Sequence, residues 1–276
     1  MFILGHDFPF GFADLPEEDR LGALKAAGFD AVMIHWEDAD GKDACHRFDD
    51  MIRAGLQVLT VHFPQDRTAD FWREGEAGDR LEEQLIRSLR EAGERGVRHM
   101  VVHTTRRLET PPPNEIGARR FARAAEAAEK YDIDLAVENT RFLAYNQYLY
   151  DRISSPRLRY CYDCGHAACF TPGQDPLAMF GDRMVTTHLH DNHGLKDEHL
   201  LIGEGTVPLD KVFLRLVSMG MEEYNLESRY RPEPGQHAWG LEEYLEKAYA
   251  RLTACLDRAQ KDFNALKGVK NNDLPY

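Results

Sequence analysis

Short apolar, β-branched runs alternate along the whole chain with longer segments whose apolar residues recur at three-and-four spacing. The short runs are FILGHD, DAVMIHW, QVLTVHF, RHMVVHT, DLAVEN, LRYCYD, RMVTTHLHD and YNLESR, each of the length and composition of a strand buried on both faces. Between them, EEDRLGALKAAG, RLEEQLIRSLREAGERG, EIGARRFARAAEAAEKY and PLDKVFLRLVSMG carry the period of amphipathic helices. Gly28, Gly55, Gly96 and Gly220 follow helical patterns, where a left-handed residue closes a helix. LEEYLEKAYARLTACLDRAQKDF reads as the closing helix, and residues after about 264 read as a tail. Eight strand-helix units, with no dinucleotide glycine fingerprint after an early strand, predict an α/β chain folded as one (β/α)8 barrel over residues 1–276. No Gly-, Ser- or Pro-rich linker and no low-complexity segment divides it. The PPP at 111–113 stiffens the loop after the fourth strand.

The apolar runs end on polar residues. The last residue of each run, or its neighbour, is His6, His35, His62, His103, Glu138, Asp163, His188 and Glu227 in turn. In a parallel barrel these ends converge on one mouth, which is where such folds place their chemistry. A single strand-end histidine or glutamate is ordinarily a locally hydrogen-bonded structural group. Eight at one mouth change that reading, because crowded carboxylates repel and a cation relieves the conflict. Imidazoles mixed with carboxylates suit zinc, manganese, iron or cobalt, whereas magnesium alone seldom uses several histidines. The segment TTHLHDNHGLKDEHLLIGEGT, 186–206, adds further ligand-capable side chains directly after the seventh strand. His46 and His99 fall at element beginnings and His237 in the eighth loop, and these read as structural.

Composition narrows the setting. A chain of 276 residues with 43% hydrophobic side chains can bury a full core. A net charge of −13 opposes general attraction to phosphate backbones, so nucleic acid is disfavoured as a partner. MFILGHDFPF lacks a basic n-region and a long apolar stretch, and no later run is long enough to span a bilayer, so a soluble cytoplasmic protein is expected. The five cysteines form no framework, and the Cys161–Cys164 CxxC lacks the second pair of a structural zinc site. Reduced, packed thiols are expected.

Taken in order, these residues resemble the xylose isomerase-like TIM barrels, a superfamily of sugar isomerases and epimerases that also includes the endonuclease IV family. The resemblance runs from VHF through LESR. It implies one divalent ion, manganese, cobalt, zinc or magnesium, held by Glu138 in AVENT, Asp163 in YDCGH, His188 in HLHD and Glu227 in NLES. His188 is preferred to His190 because an acid, Asp191, follows it three residues later, although both point to the same side of the strand. The endonuclease IV family uses a larger set, up to three ions, and its ligands are similar to His62, His103, Glu138, Asp163, His166, His188, Asp197, His199 and Glu227. For the isomerases the resemblance implies Glu138 and Glu227 as the acid/base pair and His166 as a group orienting a substrate hydroxyl. The expected partner is a small sugar or sugar phosphate, and the superfamily often forms homo-oligomers. The GEGT loop before a helix offers either an anion site or a tight turn. Arg229 and Arg231 offer a grip on a phosphate or carboxylate, or are solvated loop charges. Phosphoester hydrolysis by a multinuclear zinc cluster, a lyase or dehydratase on the mononuclear site, and a non-catalytic binding barrel are the alternatives.

Overall fold

The computed structural model describes residues 2–8, 10–37, 43–106, 108–231 and 238–272. Eight strands form a closed parallel barrel in chain order. They are β1 (Ile3–Phe8), β2 (Ala31–His35), β3 (Thr60–His62), β4 (His99–Val102), β5 (Asp134–Glu138), β6 (Leu158–Asp163), β7 (Met184–Leu189) and β8 (Glu223–Leu226). The helices around them are α1 (Glu17–Ala26), α2 (Ala44–Arg53), α3 (Glu76–Gly93), α4 (Glu115–Lys130), α5 (Leu143–Arg152), α6 (Cys164–Phe170), α7 (Pro176–Phe180), α8 (Leu209–Ser218) and α9 (Leu241–Asn272). The ring closes by β1 pairing with β8, Ile3 opposite Glu223 and His6 opposite Leu226. Helix α9 runs on to Asn272, beyond the point near 264 where the apolar pattern stops.

The sheet is built from the alternation of side chains along each strand. One set, including Val32, Ile34, Val61, Met100, Val102, Leu135, Val137, Tyr160, Leu189, Tyr224 and Leu226, packs outward in the main core beneath the helices. Each such buried side chain stabilises the fold by roughly 1.5–3 kcal/mol. The other set faces the lumen, where Val101, Ala136 and Cys161 form a small apolar plug. Thr60 and Thr186 share a hydrogen bond of 3.2 Å there, and Asn225 Nδ2 donates to Thr186 Oγ1 at 2.9 Å. Gly5 is required at this layer, because a Cβ would sit 2.3 Å from Asn225 Oδ1. Above the plug the same lumen-facing set turns polar, which forms the floor of the site. At the opposite end of the barrel, His99 Nδ1 lies 2.9 Å from Asp134 Oδ2, so this histidine belongs to the base and not the mouth. His46 is exposed beside its helix-capping partner Asp43, and His237 lies outside the described residues. All five cysteines are unpaired, and no described helix is long and apolar enough to cross a membrane.

Candidate metal centre

The mouth is assembled from strand ends and two short returns of the chain. Glu138 closes β5 and lies at its centre: Oε2 is 3.3 Å from His62 Nε2 and 2.9 Å from His103 Nε2, while Oε1 is 3.0 Å from His166 Nδ1 and 3.3 Å from His188 Nδ1. The next residue, Asn139, ties this strand to β6: its Nδ2 donates to Asp163 O and its Oδ1 accepts from Asp163 N, each at 2.8 Å. Asp163 in turn caps α6, accepting from His166 N at 2.7 Å. The DxxH spacing thereby brings a capping carboxylate and a first-turn imidazole back to the same place. Gly165 leaves room for the His190 ring, whose Cε1 would be 1.9 Å from a Cβ at that position.

The segment after β7 folds back on itself. Asp191 and Leu200 exchange two backbone hydrogen bonds, at 2.8 and 2.9 Å. This closes a loop that presents Asp197 and His199 to the mouth. His199 takes a left-handed backbone, φ 52°, a conformation that costs a non-glycine residue free energy and persists where its surroundings fix it. Its ring stacks on His190 with centroids 4.4 Å apart. Asp197 Oδ2 sits 3.3 Å from His166 Nε2 and 3.2 Å from His199 Nε2. Asp191 itself is structural, accepting the amides of Asn192, Gly203 and Val207. Asn192 O accepts from Thr206 N. With the Gly203, Thr206 and Val207 amides taken by these acceptors, the GEGT segment forms a tight turn.

Two histidines at the C-terminal end of β7 serve the mouth. His188 Nδ1 lies 3.3 Å from Glu138 Oε1 and 3.2 Å from Glu227 Oε2. His190 Nε2 lies 3.2 Å from Asp163 Oδ1 and 3.6 Å from Asp197 Oδ1. Ligand-capable atoms of His62, His103 and Glu138 fall within 4.8 Å of one another, as do those of Asp163, His188 and Glu227, and those of His190, His199 and Glu227. Arg229 stands at the rim, its guanidinium 3.6 Å from Asp7 Oδ2 and 3.9 Å from Glu227 Oε1.

One strand end departs from the expectation. His6 points outward, packed edge-on against Phe10 and Phe29, with Ser228 beside its Nε2. The lumen-facing residue at the mouth end of β1 is Asp7, fully buried and facing His35 Nε2 at 3.7 Å. The reason is the β1–β8 register: His6 is opposite the outward Leu226, which puts Asp7 on the side of Glu227. Asp7 and Asn139 are the site residues that strand-end reading misses; their signal lies in the register and in the asparagine following Glu138.

The donor set fits a divalent cation. The Nδ1 of His62, His190 and His199 each donates to a main-chain carbonyl, of Phe63 at 2.7 Å, Asp191 at 3.4 Å and Glu227 at 2.9 Å. The Nε2 lone pair of each neutral ring then faces a carboxylate oxygen, acceptor against acceptor, and only protons or a cation satisfy that arrangement. Glu138 Oε1, Asp163 Oδ2, His188 Nε2, His190 Nε2 and Asp197 Oδ1 are buried without a hydrogen-bond partner.

The electrostatics carry the same mark. Burial opposes ionisation of Glu138, but the His103 and His188 imidazoles outweigh it and hold its carboxyl well below the usual range. Burial likewise opposes the charged forms of His166 and His188, yet nearby acidic groups, Asp163 foremost for His166 and Cys161 and Glu138 for His188, raise both well above the ordinary histidine value. His199, opposed by burial but facing Glu227 and Asp197, is raised to about 9. Without an ion, the cluster balances its carboxylates by retaining protons; metal binding must displace them.

An eight-stranded barrel with a mouth of converging imidazoles and carboxylates defines a metal-capable site of the kind (β/α)8 enzymes carry. Residues 21–255 match the xylose isomerase-like TIM barrel family, and the chain belongs to that family. It is 28% identical over 138 residues to the uncharacterized protein y4fM of Sinorhizobium fredii; that match covers 50% of this chain and 43% of the relative, so the chain spans less than half the length of the relative it matches. In structure it is similar to a protein described as L-ribulose 3-epimerase, with TM-score 0.79, 16% identity and 99% of each chain covered. It is also similar to one described as a D-tagatose 3-epimerase-like protein, with TM-score 0.74, 20% identity, and 95% of this chain and 99% of that one covered.

Proposed function

We propose that the chain is a divalent-metal-dependent isomerase or epimerase of a sugar or sugar phosphate, moving a proton at a carbon beside a carbonyl. The observation that carries the reading is the pair of glutamates that meet at one imidazole nitrogen, Glu138 at 3.3 Å and Glu227 at 3.2 Å from His188 Nδ1. They come from strands three places apart in the ring, so a substrate bound between them meets a carboxylate on each face. Glu138, Asp163, His188 and Glu227 would hold the ion, which supplies positive charge against the substrate oxygen that becomes anionic as the proton leaves. One glutamate takes the proton from carbon; the other returns a proton to the opposite face of that carbon or to its neighbour. The first outcome is epimerisation and the second is aldose–ketose isomerisation, and positioned acid/base groups of this kind contribute about 10²–10⁴-fold in rate. His166 is set by Asn139 O at 3.0 Å and by its place in the first turn of α6, and it orients a substrate hydroxyl. The similarity to proteins described as ketose 3-epimerases supports the same reaction class.

The protein purified without chelators is expected to carry one manganese, cobalt, zinc or magnesium ion per chain. It is expected to wash solvent deuterium into the carbon next to the carbonyl of a ketose. A metal-loaded protein that exchanges no carbon-bound hydrogen across a panel of ketoses and aldoses overturns the reading.

A second reading has its own observation. His166, Asp197 and His199 form a further group of donors at 3.2–3.3 Å, beside the pair His62 and His103 on Glu138. That arrangement suits two or three zinc ions and hydrolysis of a small phosphoester. Two or more zinc ions per chain with phosphate release from such a substrate would decide for it.

A further inference from the structure

The donor cluster opens into a cavity of about 420 Å³ that arginines also line. Arg106, Arg141, Arg229 and Arg231 line it, together with Gln65, Thr105 and Thr140. The acidic residues lining the same space are Glu138, Asp197 and Glu227. Four guanidinium groups line this cavity beside three carboxylates, in a chain whose net charge is −13. Cationic groups gathered in a cleft draw anionic ligands to it.

The four arginines are not equivalent. Arg106 is ion-paired with Asp66, and Arg229 is shared between Asp7 and Glu227. Arg141 and Arg231 have no carboxylate partner among the described residues. Arg141 is nonetheless fixed. Its guanidinium lies 3.8 Å above the Phe170 ring, and its Nε donates to Arg106 O at 3.4 Å. Phe170 stacks in turn on the imidazole of His166, with centroids 5.0 Å apart. Arg141 is therefore one aromatic ring away from a histidine that touches Glu138 and Asp163. A guanidinium pre-oriented on an aromatic face loses little freedom when it grips a planar or tetrahedral oxyanion, and it does so through two parallel N–H bonds.

We propose that the substrate is an anionic sugar whose phosphate or carboxylate, at the end remote from the reacting carbon, is bound by Arg141 and Arg231. This inference rests on the isomerase reading for the reacting end and adds the chemical class of the other end. A neutral sugar offers Arg141 and Arg231 no phosphate or carboxylate oxygen.

The test uses the full chain with its bound metal, and two readouts. Calorimetric titration measures binding of a neutral ketohexose, the same ketohexose 6-phosphate and a ketohexuronate, and deuterium wash-in measures turnover of each. The variants are Arg141→Gln and Arg231→Gln, with thermal melting and metal content as checks on the fold and the ion site. At least tenfold tighter binding of the phosphate or the uronate than of the neutral ketose is expected. The tighter of the two anions identifies the group, and each variant lowers that preference tenfold or more without changing metal content. Equal binding of neutral and anionic ketoses, or a preference that survives both substitutions, overturns the proposal. If the neutral ketose exchanges deuterium as fast as the anionic ones, the isomerase reading stands and the anionic subsite falls. If the anions bind in an arginine-dependent way without exchange, the subsite stands and the isomerase reading falls. Should none of the three bind, the subsite is refuted outright.

Discussion

Gly165→Ala isolates the geometry of the mouth without touching a single ligand-capable group. A Cβ at this position would fall 1.9 Å from His190 Cε1 and 2.4 Å from its Nε2, far inside van der Waals contact. The ring cannot swing aside freely: it is fully buried, and His199 is stacked on it at 4.4 Å. Either His190 rotates out of its place or the start of α6 backs away from β7. Overpacking of this kind costs roughly 1–3 kcal/mol. At about 2–3 °C per kcal/mol for a chain of this size, the melting temperature falls by roughly 2–9 °C. The functional consequence is separable from the stability loss. Displacing His190 removes its contacts with Asp163 at 3.2 Å and Asp197 at 3.6 Å. Loss of a group that holds or orients metal ligands weakens metal binding about 10–100-fold. Thermal melting of the metal-stripped protein, followed by metal titration well below the melting point, reads the two effects separately. An unchanged melting temperature together with wild-type metal affinity would refute the packing argument and, with it, the place of His190 in the centre.

Three further outcomes follow from the same geometry. Glu138→Gln and Glu227→Gln should each lower deuterium wash-in by about 10²-fold or more while circular dichroism stays native; a wild-type rate in either variant removes that glutamate from the acid/base pair. Asp197→Asn should leave one ion per chain bound if the centre is mononuclear and lower the metal content if it is multinuclear, which elemental analysis decides. Burial holds His6 down at about 4, so the unfolded chain binds this proton first as pH falls below the ordinary 6.5, and stability present above pH 6.5 is lost as pH drops toward 4. Between pH 7 and pH 5 the loss is about 2 kcal/mol, and urea unfolding of His6→Leu should lack that component; an identical pH dependence in the variant counts against it.

Much of this architecture was legible along the chain. Strands buried on both faces are continuous apolar runs, and the helices between them carry a 3.6-residue stripe, so element type follows from local pattern. The ligand-capable residues were legible for a related reason: Glu138, Asp163, His188 and Glu227 stand where apolar runs stop, and a parallel barrel gathers such ends. DxxH was readable as a local device, since an aspartate that caps a helix necessarily has its third successor beside it. Less legible were features that join distant parts of the chain. His6 is as prominent at its strand end as His62, yet the former lies in the packing layer and the latter in the mouth. Arg141 gives no sign in the sequence of its stacking on Phe170.

Taken alone, the sequence determined which elements form and which chain segments end at the mouth, because both depend on spacing within a few residues. Tertiary structure decided which of two neighbouring side chains faces the lumen. That choice depends on the register between β1 and β8, strands more than two hundred residues apart, and a shift of one residue reverses every side chain. It also decided that His188 stands with Glu138 and Glu227 while His190 stands with Asp163 and Asp197. The Asp191–Leu200 bridge that carries Asp197 and His199 into the mouth completes that division. Closure of the ring sets these distances, and closure is a property of all eight strands together.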